Sequence, residues 1–167
     1  MAKIIPQRMA PHVEGDFVVF LIGMRINRFH RPDHWWPVFT AMPRMLRELS
    51  SGSPPGLLGF RTALAGLRSI DVIQYWRSWE ELHAYARNRD ATHFPAWVDF
   101  NRRLAKSRSV GIWHETFLVR NGSYEAIYNS MPPYGLGAAT ELRPATGSRH
   151  TAKGRLGETD GTDDPTD

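Results

Sequence analysis

A four-stranded antiparallel sheet with helices on one face, the ferredoxin-like β-α-β-β-α-β arrangement of the α+β class, is the fold this sequence predicts. Three observations carry it. Phe17 to Ile26 (FVVFLIGMRI) is a continuous apolar run of strand length. His34 to Leu49 repeats apolar residues at helical spacing, and Ile70 to Glu115 reads as strand, capped helix, turn, second helix and returning strand. The sheet face without helices would stay bare in one copy. The expected assembly is therefore a homodimer with its sheets facing each other, a dimeric α/β barrel.

The 167 residues, 41% of them hydrophobic, suffice for one domain with a real core. That domain is expected over residues 1–140, with a disordered tail over 141–167, where Gly, Thr, Asp and Pro lack an apolar anchor. With no cysteine, disulfides, thiolate nucleophiles and cysteine-ligated zinc or iron–sulfur sites are excluded. The formal charge is +4, but the basic residues are scattered and no recognition-helix, zinc-finger or RNA-binding signature occurs, which argues against nucleic acid. The longest apolar run, Phe17 to Met24, is too short to span a bilayer. The N-terminal stretch lacks the apolar core and cleavage site of a signal peptide. No membrane partner and a cytoplasmic location are expected.

In chain order, Phe17 to Ile26 reads as a central strand buried on both faces. Gly23 within it marks a bulge or a close approach to the backbone. Arg25 and Asn27 share the face of Gly23. Asp33, after the Arg31-Pro32 turn, is placed to cap the next helix. In that helix Trp35, Phe39, Met42, Leu46 and Leu49 form one stripe, and Pro43 is expected to kink it. Leu57 to Leu64 and Ile70 to Ser78 read as a hairpin. Ser78-Trp79-Glu80-Glu81 has the form of a capping box. A helix follows that buries Leu82, Tyr85 and Ala86. A second helix is expected from near Thr92, with His93, Trp97, Phe100 and Leu104 on one stripe. In the last strand, Gly111 to Val119, Ile112, His114, Thr116 and Leu118 face one way, and Trp113, Glu115, Phe117 and Val119 the other. Ser123 to Leu136 reads as an aromatic arm packed on the domain.

The segments GDFVVFLIGMRIN, QYWRSWEELHAYAR, HFPAW, GIWHETF and YEAIYNSMPPYGLG, in that order, resemble a domain family of bacteria and fungi. Its namesake activity is a monooxygenase of fumagillin biosynthesis. The resemblance covers roughly Lys3 to Leu142. It implies membership of the dimeric α/β barrel superfamily, which includes cofactor-free antibiotic monooxygenases, haem-degrading monooxygenases, chlorite dismutase relatives and aldoxime dehydratases. In several haem members the proximal ligand is a histidine of the helical region after the third strand. His93 lies in that region here.

Three readings of His93 stand side by side: a helix-capping or core histidine, a ligand to haem iron, and an acid or base acting on an organic substrate. A helix N-terminus favours neutral imidazole, the form that binds metal and takes up protons. Trp97 would flank a haem b at that position, and Arg25 or Arg77 would meet its propionates. His114 is the second catalytic candidate, as a distal acid or base, or as a merely satisfied polar group. Glu115 points to the opposite face and does not pair with it. His34, beside Trp35 and Trp36, is a candidate for the pocket mouth. Tyr124, Tyr128 and Met131 are read as a lid or, more plainly, as an arm that seals an edge. No phosphate loop, Rossmann glycine pattern or nucleophile elbow is present.

The expected function is a monooxygenase-like oxidoreductase acting on a small organic substrate in an apolar pocket, with haem b on His93. A cofactor-free monooxygenase, a haem lyase of the aldoxime dehydratase type and a non-catalytic ligand-binding module stay open beside it.

Overall fold

The computed structural model describes residues 3–51, 54–89, 98 and 107–158, without the side chains of 42–45 and 49. Its strands are β1 (Ile5–His12), β2 (Phe17–Ile26), β3 (Leu57–Leu64), β4 (Ser69–Trp76), β5 (Val110–Val119), β6 (Tyr128–Met131) and β7 (Glu141–Pro144). The described helices are α1 (Pro32–Ser50), α2 (Trp79–Arg87), α3 (Leu136–Ala139) and α4 (Ala152–Arg155), with a 3₁₀ turn at Gly147–His150. The main sheet is antiparallel in the order β3-β4-β2-β5. This is the predicted ferredoxin-like α+β arrangement. A second sheet, β6-β1-β7, adjoins it.

Paired residues of neighbouring antiparallel strands share a face, so the register fixes both sides of the main sheet. Val18, Phe20, Ile22 and Met24 of β2 lie opposite Trp76, Gln74, Val72 and Ile70 of β4, and opposite Leu118, Thr116, His114 and Ile112 of β5. This face carries the helices. α1 brings Trp35 and Val38 against Met24, Ile26, Val110 and Ile70. α2 brings Leu82 and Tyr85 against Val18 and Trp76. The other face carries Phe17, Val19, Leu21, Ile73, Tyr75 and Phe117.

Helix starts differ in part from expectation. α1 begins two residues early at Pro32, where a missing N–H costs little. Arg31 occupies the cap position, and its side chain makes no capping hydrogen bond to the first turn. Asp33 is consequently inside the helix, where its carboxylate accepts two hydrogen bonds from Arg31. That contact holds the Asp33 carboxyl below its ordinary pKa. Ser78 caps α2 as predicted, its Oγ accepting from the Glu81 N–H at 3.2 Å. The Glu81 carboxylate binds Arg77 at 3.3 Å instead of returning to the serine amide. In α2, Leu82 is buried and Tyr85 half-buried, but Ala86 is exposed.

The arm lies on the face opposite the helices. Tyr124 packs edge-on against Phe17 with ring centres 5.2 Å apart, and its hydroxyl accepts from the Val13 N–H at 2.8 Å. α3 seats Leu136 on Phe17, Ile73 and Tyr75. It approaches β3 so closely that a Cβ on Gly59 would lie 2.7 Å from that of Ala139. The sealing role, not the lid, is the one these contacts describe.

The stretch expected to be a tail is structured as far as residue 158. β7 pairs with β1. Arg155, its side chain 7% exposed, donates to Glu125 at 2.6 Å and to the carbonyls of Arg149 and His150. Strand pairing, hydrogen bonds and an ion pair hold the stretch, with buried Ala145 as a small apolar contact.

Candidate functional site

On the helix-bearing face, the β5 edge is open in part. Between the α1 and α2 contacts lie Phe20, Ile22, Ile112, His114, Thr116 and Leu118. Leu118 is 60% exposed and Ile112 39%. Phe20 and Ile22 are partly covered and His114 is exposed. The His114 ring stands 5.8 Å from that of Phe20, tilted by 40°. Beneath the strip the polar group of Gln74 is spent: its Oε1 accepts from the indole N–H of buried Trp76 at 2.9 Å. The strip is therefore an apolar floor with one accessible imidazole and no carboxylate among its described residues.

The sequence-predicted residues divide over the sheet. His114 sits on this floor, and Glu115 lies on the reverse face opposite Leu21, as alternation requires. Arg25 also falls on the reverse face, opposite Ser69 and Gly111, with Nη1 donating to Asn27 at 2.6 Å. It does not share a pocket with His114, because residues an odd number apart along a register point to opposite sides. His93 and Trp97 lie outside the described residues, as does the expected start of their helix. Val98, the described residue of that stretch, is helical.

His34 is engaged rather than open. Its Nδ1 is 2.8 Å from Ser109 Oγ, its Nε2 is 2.6 Å from Arg31 Nη2, and Asp33 Oδ2 is 3.3 Å away. Serine, histidine and aspartate in contact suggest an acyl-transfer triad, but two facts oppose it. Ser109 is 0% exposed. A guanidinium only donates, and Arg31 Nη2 lies nearer to Nε2 than Asp33 Oδ2 does, so the aspartate does not hold that nitrogen alone. The network joins the start of α1 to the start of β5.

Two polar features escaped the sequence reading. On the reverse face, Asp71 and Trp113 flank Gly23 from neighbouring strands. A Cβ there would meet Asp71 Oδ1 and would lie 2.6 Å from Trp113 Nε1. The close approach that Gly23 signalled is thus a carboxylate and an indole. Asp71 Oδ1 is buried without a hydrogen-bond partner, and burial raises the carboxyl pKa. A raised folded pKa means that stability falls as pH rises from about 3.8 through the folded value, with the full penalty present at neutral pH. Asp71→Asn is expected to be more stable than the parent at pH 7, and the advantage should vanish below the ordinary carboxyl range. Urea midpoints measured across pH check this.

The second feature is a cavity of about 330 Å³ between α1, α2 and the Pro54-Pro55 turn. Glu48, Glu81 and Tyr85 line it. Burial, and then the Glu48 carboxylate, hold the Tyr85 hydroxyl well above its ordinary pKa. It shares no residue with the His114 strip, and its two carboxylates do not suit an apolar substrate.

The family model "Monooxygenase af470-like" matches residues 17–136. Monooxygenase af470 of Aspergillus fumigatus is 27% identical over 140 residues, which cover 74% of this chain and 46% of the relative. The chain thus spans about half the length of that curated relative. Among solved structures, an aldoxime dehydratase in complex with butyraldoxime aligns with a TM-score of 0.59 at 16% identity, over 90% of this chain and 42% of that one. SnoaB, a cofactor-independent oxygenase from Streptomyces nogalater, aligns with a TM-score of 0.44 at 14% identity, over 63% of this chain and 94% of that one.

Proposed function

The chain belongs to the Monooxygenase af470-like family, and from that premise we propose that it is an oxidoreductase of monooxygenase type acting on a small apolar organic substrate. The observation that carries the reading is the open strip of Phe20, Ile22, Ile112 and Leu118 with His114 as its accessible polar group. An apolar floor orients a greasy substrate, whose seating releases water from the exposed apolar surface. The imidazole beside Phe20 gives or takes a proton at the substrate's polar atom.

Haem b held by His93 is the cofactor proposed with it, and the resemblance of the sequence to haem-binding relatives supports it. An uncharged, apolar strip suits a macrocycle face as well as a substrate. When bound, haem iron supplies oxygen activation. Arg25 is not assigned to propionates, since it lies on the other side of the sheet from His114.

The test is absorption spectroscopy during titration with haem b. A Soret band that shifts or weakens in His93→Ala is the expected result. If no band forms at saturating haem, the cofactor-free reading takes its place, and oxygen uptake with electron-rich aromatic substrates examines it. If neither a band nor turnover appears, the monooxygenase reading is overturned.

A homodimer through the reverse sheet face is proposed as the assembly. Its support is the part of that face the arm leaves open, where Phe117 is 51% exposed beside partly covered Val19 and Leu21. Phe117→Asp would bury an unpaired charge on association and is expected to raise the dimer dissociation constant by about a hundredfold or more. Light scattering would then report the 19.0 kDa chain mass in place of twice that value.

A further inference from the structure

One end of the main sheet carries a second surface that this function does not use. There the β3–β4 hairpin tip, the loop after β2, the start of α1 and the start of β5 come together. The tip is Ala65-Gly66-Leu67-Arg68, closed by the Ala65 N–H to Ser69 carbonyl hydrogen bond and by Gly66 at φ +80°. Leu67 at its apex is 96% exposed, and Leu64 beside it 78%. The Ile26 N–H donates to the Arg68 carbonyl, and the Arg68 guanidinium lies 4.9 Å over the Phe29 ring. From Phe29 a chain of ring contacts runs through Trp35 to Trp36 and Phe39, the last two stacked at 5.8 Å. Trp36 is 55% exposed. Two leucines and four aromatic rings thus lie at one end of the sheet, and all but Trp35 are exposed.

Its charge is predominantly positive. Residues 25–36, 64–70 and 107–112 contain Arg25, Arg28, Arg31, Arg68 and Arg108, with Asp33 as their single acidic residue. That aspartate is bound by Arg31 at 2.8 Å. Arg28 forms no ion pair with a described residue, and Arg25, Arg28, Arg68 and Arg108 are exposed.

We propose that this end of the molecule docks on an anionic lipid surface, with Leu64, Leu67, Phe29 and Trp36 entering the interface and the arginines meeting lipid phosphates. Three features favour a bilayer over a protein partner. The patch projects from a hairpin apex and a helix start. Tryptophan and phenylalanine are the side chains that seat at the headgroup boundary. The surrounding guanidinium groups complement an anionic leaflet. The absence of a spanning run does not oppose this, because a surface-lying patch needs none; among the described residues no helix is long and apolar enough to cross a membrane.

Co-sedimentation of the full chain with vesicles tests the proposal, using phosphatidylcholine alone and phosphatidylcholine with about 30% phosphatidylglycerol. Binding to the anionic vesicles is expected, weakening strongly between about 0.05 and 0.5 M salt. Leu67→Ser removes a side chain with almost no contact to the fold and should lower partitioning about tenfold. Arg28→Gln with Arg68→Gln should lower it by about fivefold per charge, and only on anionic vesicles. Far-ultraviolet circular dichroism confirms that the variants fold. Failure of the parent to bind anionic vesicles overturns the proposal, as does binding that ignores all three substitutions. Lipid-free self-association that Leu67→Ser abolishes would make this an interface between copies and equally overturn it.

Discussion

Replacing Trp76 by alanine is expected to lower folding stability by about 3–5 kcal/mol, the range for truncating a large buried aromatic. Trp76 is 0% exposed, packs with Val18 and Leu82, and stacks at a tilt on Tyr85 with ring centres 5.3 Å apart. It therefore joins the sheet to α2. Its loss would also strip Gln74, 5% exposed, of the indole donor that satisfies its Oε1. A buried acceptor without a partner costs about 1–3 kcal/mol. Trp76→Phe keeps one aromatic ring and loses the five-membered ring with its N–H, so its loss should fall between the parent and Trp76→Ala. Denaturant midpoints for both variants check this; a loss of under about 1 kcal/mol in Trp76→Ala would contradict the packing described.

The second large effect concerns chemistry. If His114 moves a proton at the substrate, His114→Ala should lower kcat by about 10²–10⁴-fold, the usual weight of general acid–base catalysis. KM should change much less, because the apolar floor of Phe20, Ile22 and Ile112 is untouched. The fold should survive, since the side chain is exposed at a sheet edge. Steady-state kinetics on a haem-loaded or cofactor-free preparation, whichever turns over, provides the measurement. A rise in KM with kcat unchanged would make His114 a wall of the pocket and not its acid or base.

The main sheet was legible because its signals are local. The apolar run of β2, the serine cap of α2 and the alternation in β5 each lie within ten residues, and each is present in the fold. Which residues of β5 share the side of His114 was also legible. What could not be read was which residue of β2 stands opposite it. That register, Ile22 against His114 and Arg25 against Gly111, separates the two candidate residues onto different faces. Strand pairing across some ninety positions leaves no mark on either strand's own pattern.

The second sheet was illegible for a related reason. β1, IPQRMAPH, has two prolines and no clean alternation, and its partners lie beyond residue 127. Pro6 is accommodated where the β1–β6 register shifts between Ile5 and Arg8, the kind of irregularity at which a strand tolerates proline. Composition misjudged residues 141–158 because Arg155, Glu125 and backbone groups hold them where apolar burial is small.

The position of β1 between β6 and β7 has a consequence for biosynthesis. Met9 faces Tyr128 on one side and Pro144 on the other, so neither flank can close until most of the described chain has left the ribosome. At 5–20 residues per second that delay is roughly 7–27 s. Throughout it, an early strand waits with both edges open to neighbouring nascent chains. Slowing translation shortly before Pro144 would lengthen that wait, and aggregation yield during expression should rise with it.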